Sequence, residues 1–192
     1  MSLKKFISIS VIVSLFQVLI HLLQIQIYSG NFFTDDFNTI AYSIYMPHGT
    51  RILFFQIYGF WSIPGMFIAH IINGYNNHGF IGFDFIMIVV ILISVLSVPL
   101  ACLILRNFFK DIQSTLNLFI PSYLISLTLL SSFINASLTN LLRLTARFDN
   151  DLDRFLSEFF GYFFGDILGV IVIVMLFLII KRIFLLSIEK KT

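Results

Sequence analysis

One apolar run fixes what this chain can become. Residues 159–180 are almost wholly hydrophobic and are followed at once by Lys181 and Arg182. At ~1.5 Å per residue such a run covers a hydrocarbon core of ~30 Å as a single helix. Within it Gly161, Gly165 and Gly169 recur at four-residue spacing and form a smooth ridge for another helix backbone. Beside that ridge stands Asp166, the only charge before Lys181. A carboxylate at this depth costs at least ~2.5 kcal/mol, so it must face protein or water and find a partner.

The rest of the chain has the same character. Across 192 residues, 58% are hydrophobic and only 11% charged, a balance that excludes a soluble domain. At ~20 residues per span the length allows about four to six crossings and leaves no room for a separate soluble catalytic domain. The expected fold is an all-α, polytopic transmembrane helical bundle forming one domain over 1–192, with the lipid bilayer as its surroundings. The twelve Lys and Arg residues cluster on no one face, which excludes nucleic acid as a partner. The lone Cys102 excludes an internal disulfide.

Expected spans cover about 6–28, 52–72, 80–105, 118–142 and 159–182. The first is too long for a signal core and lacks a cleavage site, so it is expected to be retained. In it Gln17, His21 and Gln24 share one face and form a polar seam toward neighbouring helices. Residues 34–45 open with Thr34, Asp35 and Asp36 and then place Phe37, Ile40, Ala41 and Ile44 on one side. That pattern predicts a short amphipathic helix in the membrane interface. The second span is unusual. Pro47 and Gly49 interrupt the backbone before Arg51, and Pro64-Gly65, shortly after Trp61, interrupts it again. A proline disfavours helix at the residue before it, so the segment is expected to be broken or re-entrant, with the break at Pro64. Broken helices at membrane depth are tolerated where they are buried or line a cavity. Along 118–142, Ser126, Thr128, Ser131, Ser132, Asn135, Ser137 and Asn140 suit tight helix packing.

Positive loops prefer the cytoplasm, and this tests how the broken segment sits. If it crosses fully, the Lys4/Lys5 end and the Lys181/Arg182/Lys190/Lys191 end fall on opposite sides, which the rule disfavours. If it dips and returns, both termini are cytoplasmic, with Arg106 and Lys110 beside them, and Arg51, Arg143, Arg147 and Arg154 lie outside; six spans, with that segment crossing twice or the amphipathic helix crossing once, give the same ends. Arg51, Asp84 and Asp166 then all lie toward the outer half of the membrane. A buried carboxylate pairs best with a guanidinium, so Arg51 is expected to pair with Asp166 or Asp84.

Chemistry-bearing motifs are few. Two membrane aspartates suggest an intramembrane aspartyl protease, but the Gly-x-Gly-Asp signature has Phe163 in place of its first glycine. His48, His70, His78 and Cys102 match no metal-ligand spacing, and no nucleotide loop or serine-nucleophile motif is present. The chain is therefore not expected to be an enzyme, nor to carry a metal or cofactor.

Two stretches resemble one family. Pro47-His48-Gly49-Thr50-Arg51, leading to Trp61 and Pro64-Gly65, is similar to the Pro-x-Gly stretch and Trp-x-x-Pro-Gly-like turn of the MASE1 integral membrane sensory domains of bacteria. Gly165-Asp166-Ile167-Leu168-Gly169 resembles that family's Gly-Asp-x-x-Gly helix. The resemblance implies a sensory protein of the bacterial inner membrane, signalling through a membrane or signalling partner, with a small-molecule ligand near Arg51 and Asp166. Pro47, Gly49, Trp61, Pro64, Gly65, Gly165 and Gly169 are the further positions it carries over. Such domains are usually fused to an output module, which this chain lacks within its 192 residues. Two other readings fit size and span count: an uptake subunit resembling the substrate-binding components of vitamin transporters, and a scaffold whose glycine ridge binds a partner helix.

Overall fold

Apolar stretches without internal breaks become long helices, because a backbone in lipid must satisfy its own hydrogen bonds. The computed structural model describes residues 2–29, 44–78, 84–106, 108, 121–147 and 152–189, and among these every element is helical. They are α1 (Leu3–Ser29), α2 (Met46–Tyr58), a 3-10 turn (Gly59–Ser62), α3 (Ile63–His78), α4 (Phe85–Leu105), α5 (Pro121–Arg147) and α6 (Leu152–Glu189). The interfacial helix expected over 34–45 lies almost wholly outside the described residues. Five stretches are long and apolar enough to cross a bilayer: Leu3–Gln26, Met46–Tyr75, Phe85–Leu105, Pro121–Thr145 and Phe155–Ile183.

The second of these turns back on itself. Descending α2 meets α1 in reverse order: the Met46 N–H donates to Gln24, Leu53 packs with Ile20, and Phe54 meets Phe16 edge to face. At the turn Trp61 reaches Phe6, ring centroids 5.8 Å apart, near the start of α1. Ascending α3 then follows α1 in the forward sense, with Gly65 against Ser10 and Ser14, and His70 sharing a cavity wall with His21. The segment is thus a helical hairpin whose two ends lie at one face of the bundle. The N-terminal end of α1 and the C-terminal end of α6 both lie at the opposite face.

The reversal does not occur at Pro64. Gly59 takes φ +59°, a left-handed conformation that favours glycine, and its N–H closes the last turn of α2 on Phe55. Ser62 ties the turn by donating to the Gly59 carbonyl at 2.7 Å. Pro64 stands in the first turn of α3, where a missing N–H costs nothing. Its neighbour Gly65 lets α3 approach α1, since an added Cβ would come within 2.6 Å of the Ser10 carbonyl oxygen.

Around the hairpin, α2 packs along α6, α3 along α1, and α4, α5 and α6 form consecutive antiparallel neighbours. Gly49 and Gly169 bring α2 and α6 together: a Cβ on Gly49 would meet the Gly169 carbonyl oxygen at 2.5 Å, and one on Gly169 would overlap the Tyr45 backbone. The Tyr45 N–H donates to the Gly165 carbonyl at 2.9 Å. Gly161 does not take part, contrary to the ridge expected from spacing. It is exposed, and among the described residues nothing lies within 4 Å of an added Cβ. Four-residue steps drift by roughly 40° on a 3.6-residue helix, which turns Gly161 away from the face Gly169 presents.

Gln17 and Gln24 are buried on the inward side of α1; Gln24 accepts from the Met46 N–H, as the expected polar seam requires, whereas the Gln17 amide has no hydrogen-bond partner among the described residues. Ile52, Val98, Ala101, Leu127 and Val170 form the main apolar core among α2, α4, α5 and α6.

Candidate functional site: a charged cluster at mid-membrane depth

Three consecutive elements of sequence logic bring the site together. Pro47 in the first turn of α2 directs the chain inward from Tyr45. His48 and Arg51, three residues apart, then share a helix face. The glycine contact with α6 holds that face against Asp166. All three side chains are fully buried.

Three side chains surround the Asp166 carboxylate, one of them by a hydrogen bond and two at ion-pair distance. Asn135 Nδ2 of α5 donates to Oδ2 at 2.6 Å, His48 Nδ1 lies 3.4 Å from the same oxygen, and Arg51 Nη2 lies 3.9 Å from Oδ1. Arg51 Nη1 donates to the Ser94 carbonyl of α4 in a short contact. Ser94 Oγ in turn donates to Asn135 Oδ1 at 2.9 Å. Four helices are therefore joined by one ring of polar contacts. Arg51 also lies over the Tyr45 ring, 5.6 Å from its centroid.

The far side of His48 adds a proton-counting constraint. Ser131 Oγ donates to the Thr128 carbonyl at 3.2 Å and sits 3.0 Å from His48 Nε2. With the serine proton so committed, an Nε2–H donating to Ser131 fits this contact, while Ser132 Oγ, 3.5 Å away, reaches the same nitrogen. The contact between His48 Nδ1 and Asp166 then needs a proton from one partner or the other.

Ser94 and Asn135 stand near the middle of their helices, the 21-residue α4 and 27-residue α5. The cluster is thus at mid-depth, deeper than charge counting alone places it. Asp84 is not in it. It is exposed, caps α4, and accepts a hydrogen bond from the Met87 N–H at 2.8 Å. A carboxylate just ahead of a helix finds its partner in that helix's first free N–H groups, and has no need of a guanidinium. Trp61 lies at the hairpin tip, half-exposed, far from the cluster.

Sequence reasoning names His48 and Asn135 without giving either a part in this cluster, and it does not name Ser94. A signal existed for Asn135: Thr128, Ser131, Ser132, Asn135 and Thr139 form a stripe at helical spacing, and all are buried.

Directly above Ser94 and Asn135, toward the end of the bundle that carries Asp84, is a cavity of about 160 Å³ between α3, α4, α5 and α6. His70, Asn73 and Thr139 line it, all at least nine-tenths buried. Among the described residues His70 Nε2, Asn73 Oδ1 and Thr139 Oγ1 have no hydrogen-bond partner. Arg143 closes the rim with its guanidinium over the Tyr162 ring, 5.0 Å from the centroid. Among the described residues no group of three His, Cys, Asp or Glu side chains could hold a metal ion.

Comparison with family models, with curated proteins and with solved structures finds no match.

Proposed function

We propose that this chain is a small sensory or ligand-binding protein of the bacterial inner membrane. It has no catalysis of its own and acts through a partner protein, as the resemblance to MASE1 domains implies. Both termini are cytoplasmic in this reading, because that orientation puts Lys4, Lys5, Arg106, Lys181 and Arg182 inside.

One observation carries it: a fully buried Arg51, His48 and Asp166 are mounted on and against a helical hairpin, at mid-membrane depth. Charges are expensive there and mark functional sites by default. Re-entrant elements are tolerated at such depth where they are buried or line a cavity. A ligand that changes the contacts of Ser94 and Asn135 changes what holds Arg51 and Asp166, and so biases the position of the hairpin. That coupling is what a sensor needs.

Native mass spectrometry of the protein released from nanodiscs tests the reading. Wild type is expected to carry a non-lipid small-molecule adduct that Arg51→Ala loses. A wild-type spectrum with lipid alone overturns it and leaves a structural ion pair inside a scaffold.

A further inference from the structure

The cavity itself indicates the chemistry of its occupant. Resting on the ligand-binding reading above, we propose that it takes a small carboxylate that also carries a hydroxyl or ammonium donor. Among the described residues its lining has one permanently charged side chain, Arg143, and no carboxylate. Ser94 and Asn135, in its floor, connect to Arg51 and Asp166. The described residues around it therefore count two guanidiniums against one carboxylate, in a low-dielectric setting where a net positive field favours an anion.

Polar detail narrows the class. Asn73 Oδ1 is buried, lines the cavity and accepts nothing from the described residues, so it calls for a donor on the ligand. Thr139 Oγ1 and His70 Nε2, equally buried, can each donate or accept. A carboxylate toward Arg143 with a donor toward Asn73 satisfies both ends at once. The volume of about 160 Å³ is several times the ~30 Å³ of one water, which suits a molecule of a few carbon atoms.

The test uses the full chain in nanodiscs with lactate, alanine and succinate as probes, each beside its neutral amide. Binding is read by thermal melting and isothermal titration. Lactate or alanine is expected to raise the melting temperature where its amide does not. Arg143→Gln is expected to weaken that binding at least about tenfold, Arg143→Lys less so, and Asn73→Ala to weaken it too, each read against that variant's own unliganded melting temperature. Equal binding of acid and amide overturns the assignment, as does binding untouched by Arg143→Gln. No response to any probe also overturns it. In that case a neutral adduct in native mass spectra preserves the ligand-binding reading, and an adduct-free spectrum removes both.

Discussion

The hairpin is held along two seams, and they differ in chemistry. Where α3 meets α1, closure is neutral: Gly65 faces Ser10, Ser14 Oγ donates to the Gly65 carbonyl at 2.8 Å, and Val13 and Met66 fill in around them. Where α2 meets α6, Gly49 and Gly169 make an equally close approach, but the seam encloses Arg51, His48 and Asp166. Small residues decide how near two helices lie, since lipid offers no hydrophobic drive between them. At this seam shape and charge fix the register together. Sliding α2 by one turn, ~5.4 Å, would set Leu53 or Tyr45 where Gly49 meets Gly169 and would carry Arg51 off Asp166. The charged seam is thus the one that locks the hairpin, and a change in its charges is what could release it.

The largest effect that can test this comparison comes from closing the α2/α6 approach. Gly169→Leu is expected to abolish folded protein, because even a Cβ there overlaps the Tyr45 backbone. Monodisperse, wild-type-like elution from a sizing column would break the close-approach account. Next comes the ion pair. Asp166→Ala leaves Arg51 buried beside no counter-charge and is expected to cost about 3–5 kcal/mol. The double variant Arg51→Gln/Asp166→Asn is expected to cost less than the sum of the single changes, since neither charge is then stranded. Unfolding in detergent, followed by fluorescence of Trp61, the only tryptophan, reads both. Strict additivity would show that the two groups do not interact.

Much of this architecture is legible in the sequence, and the failures have physical causes. The apolar runs give the helices, and charge counting gives a segment that dips and returns. The pairing of Arg51 follows from the cost of Asp166 in lipid. The turn itself is misread because Pro64-Gly65 is the stronger local breaker. Yet a proline is harmless in a helix's first turn, whereas Gly59 becomes decisive only once tertiary contacts demand a positive φ. Asp84 and Asp166 look alike in sequence. They differ because one precedes a helix and caps it, while the other lies inside one, with no free backbone N–H to bind. Asn135 is hidden among serines and threonines whose packing role explains them well enough without it.

Smaller changes sharpen the contrast between the seams. Gly65→Ala places a methyl against the Ser10 backbone and is expected to destabilise by roughly 1–3 kcal/mol. Removing the hydroxyl with Ser14→Ala is expected to cost ~0.6 kcal/mol, the usual worth of a hydrogen bond between membrane helices. Neither should alter ligand binding or the position of Arg51, since the neutral seam sets distance alone. A Gly65→Ala protein that melts normally but loses its bound ligand would show the two seams to be coupled.

The smallest expected effect is also the most diagnostic of the surface. Gly161 belongs by spacing to the same series as Gly165 and Gly169, yet it faces away from α2. Within this chain alone, Gly161→Ala should therefore be neutral or should stabilise α6 by up to ~1 kcal/mol, through the lower helix propensity of glycine. The same substitution at Gly169 is expected to be strongly destabilising, so the pair measures how far the close contact extends along α6. If Gly161→Ala instead destabilises the protein in nanodiscs but not in detergent, a second helix packs against that exposed stretch in the membrane. The glycine spacing would then serve two partners on adjacent faces, α2 within the chain and another helix from outside it.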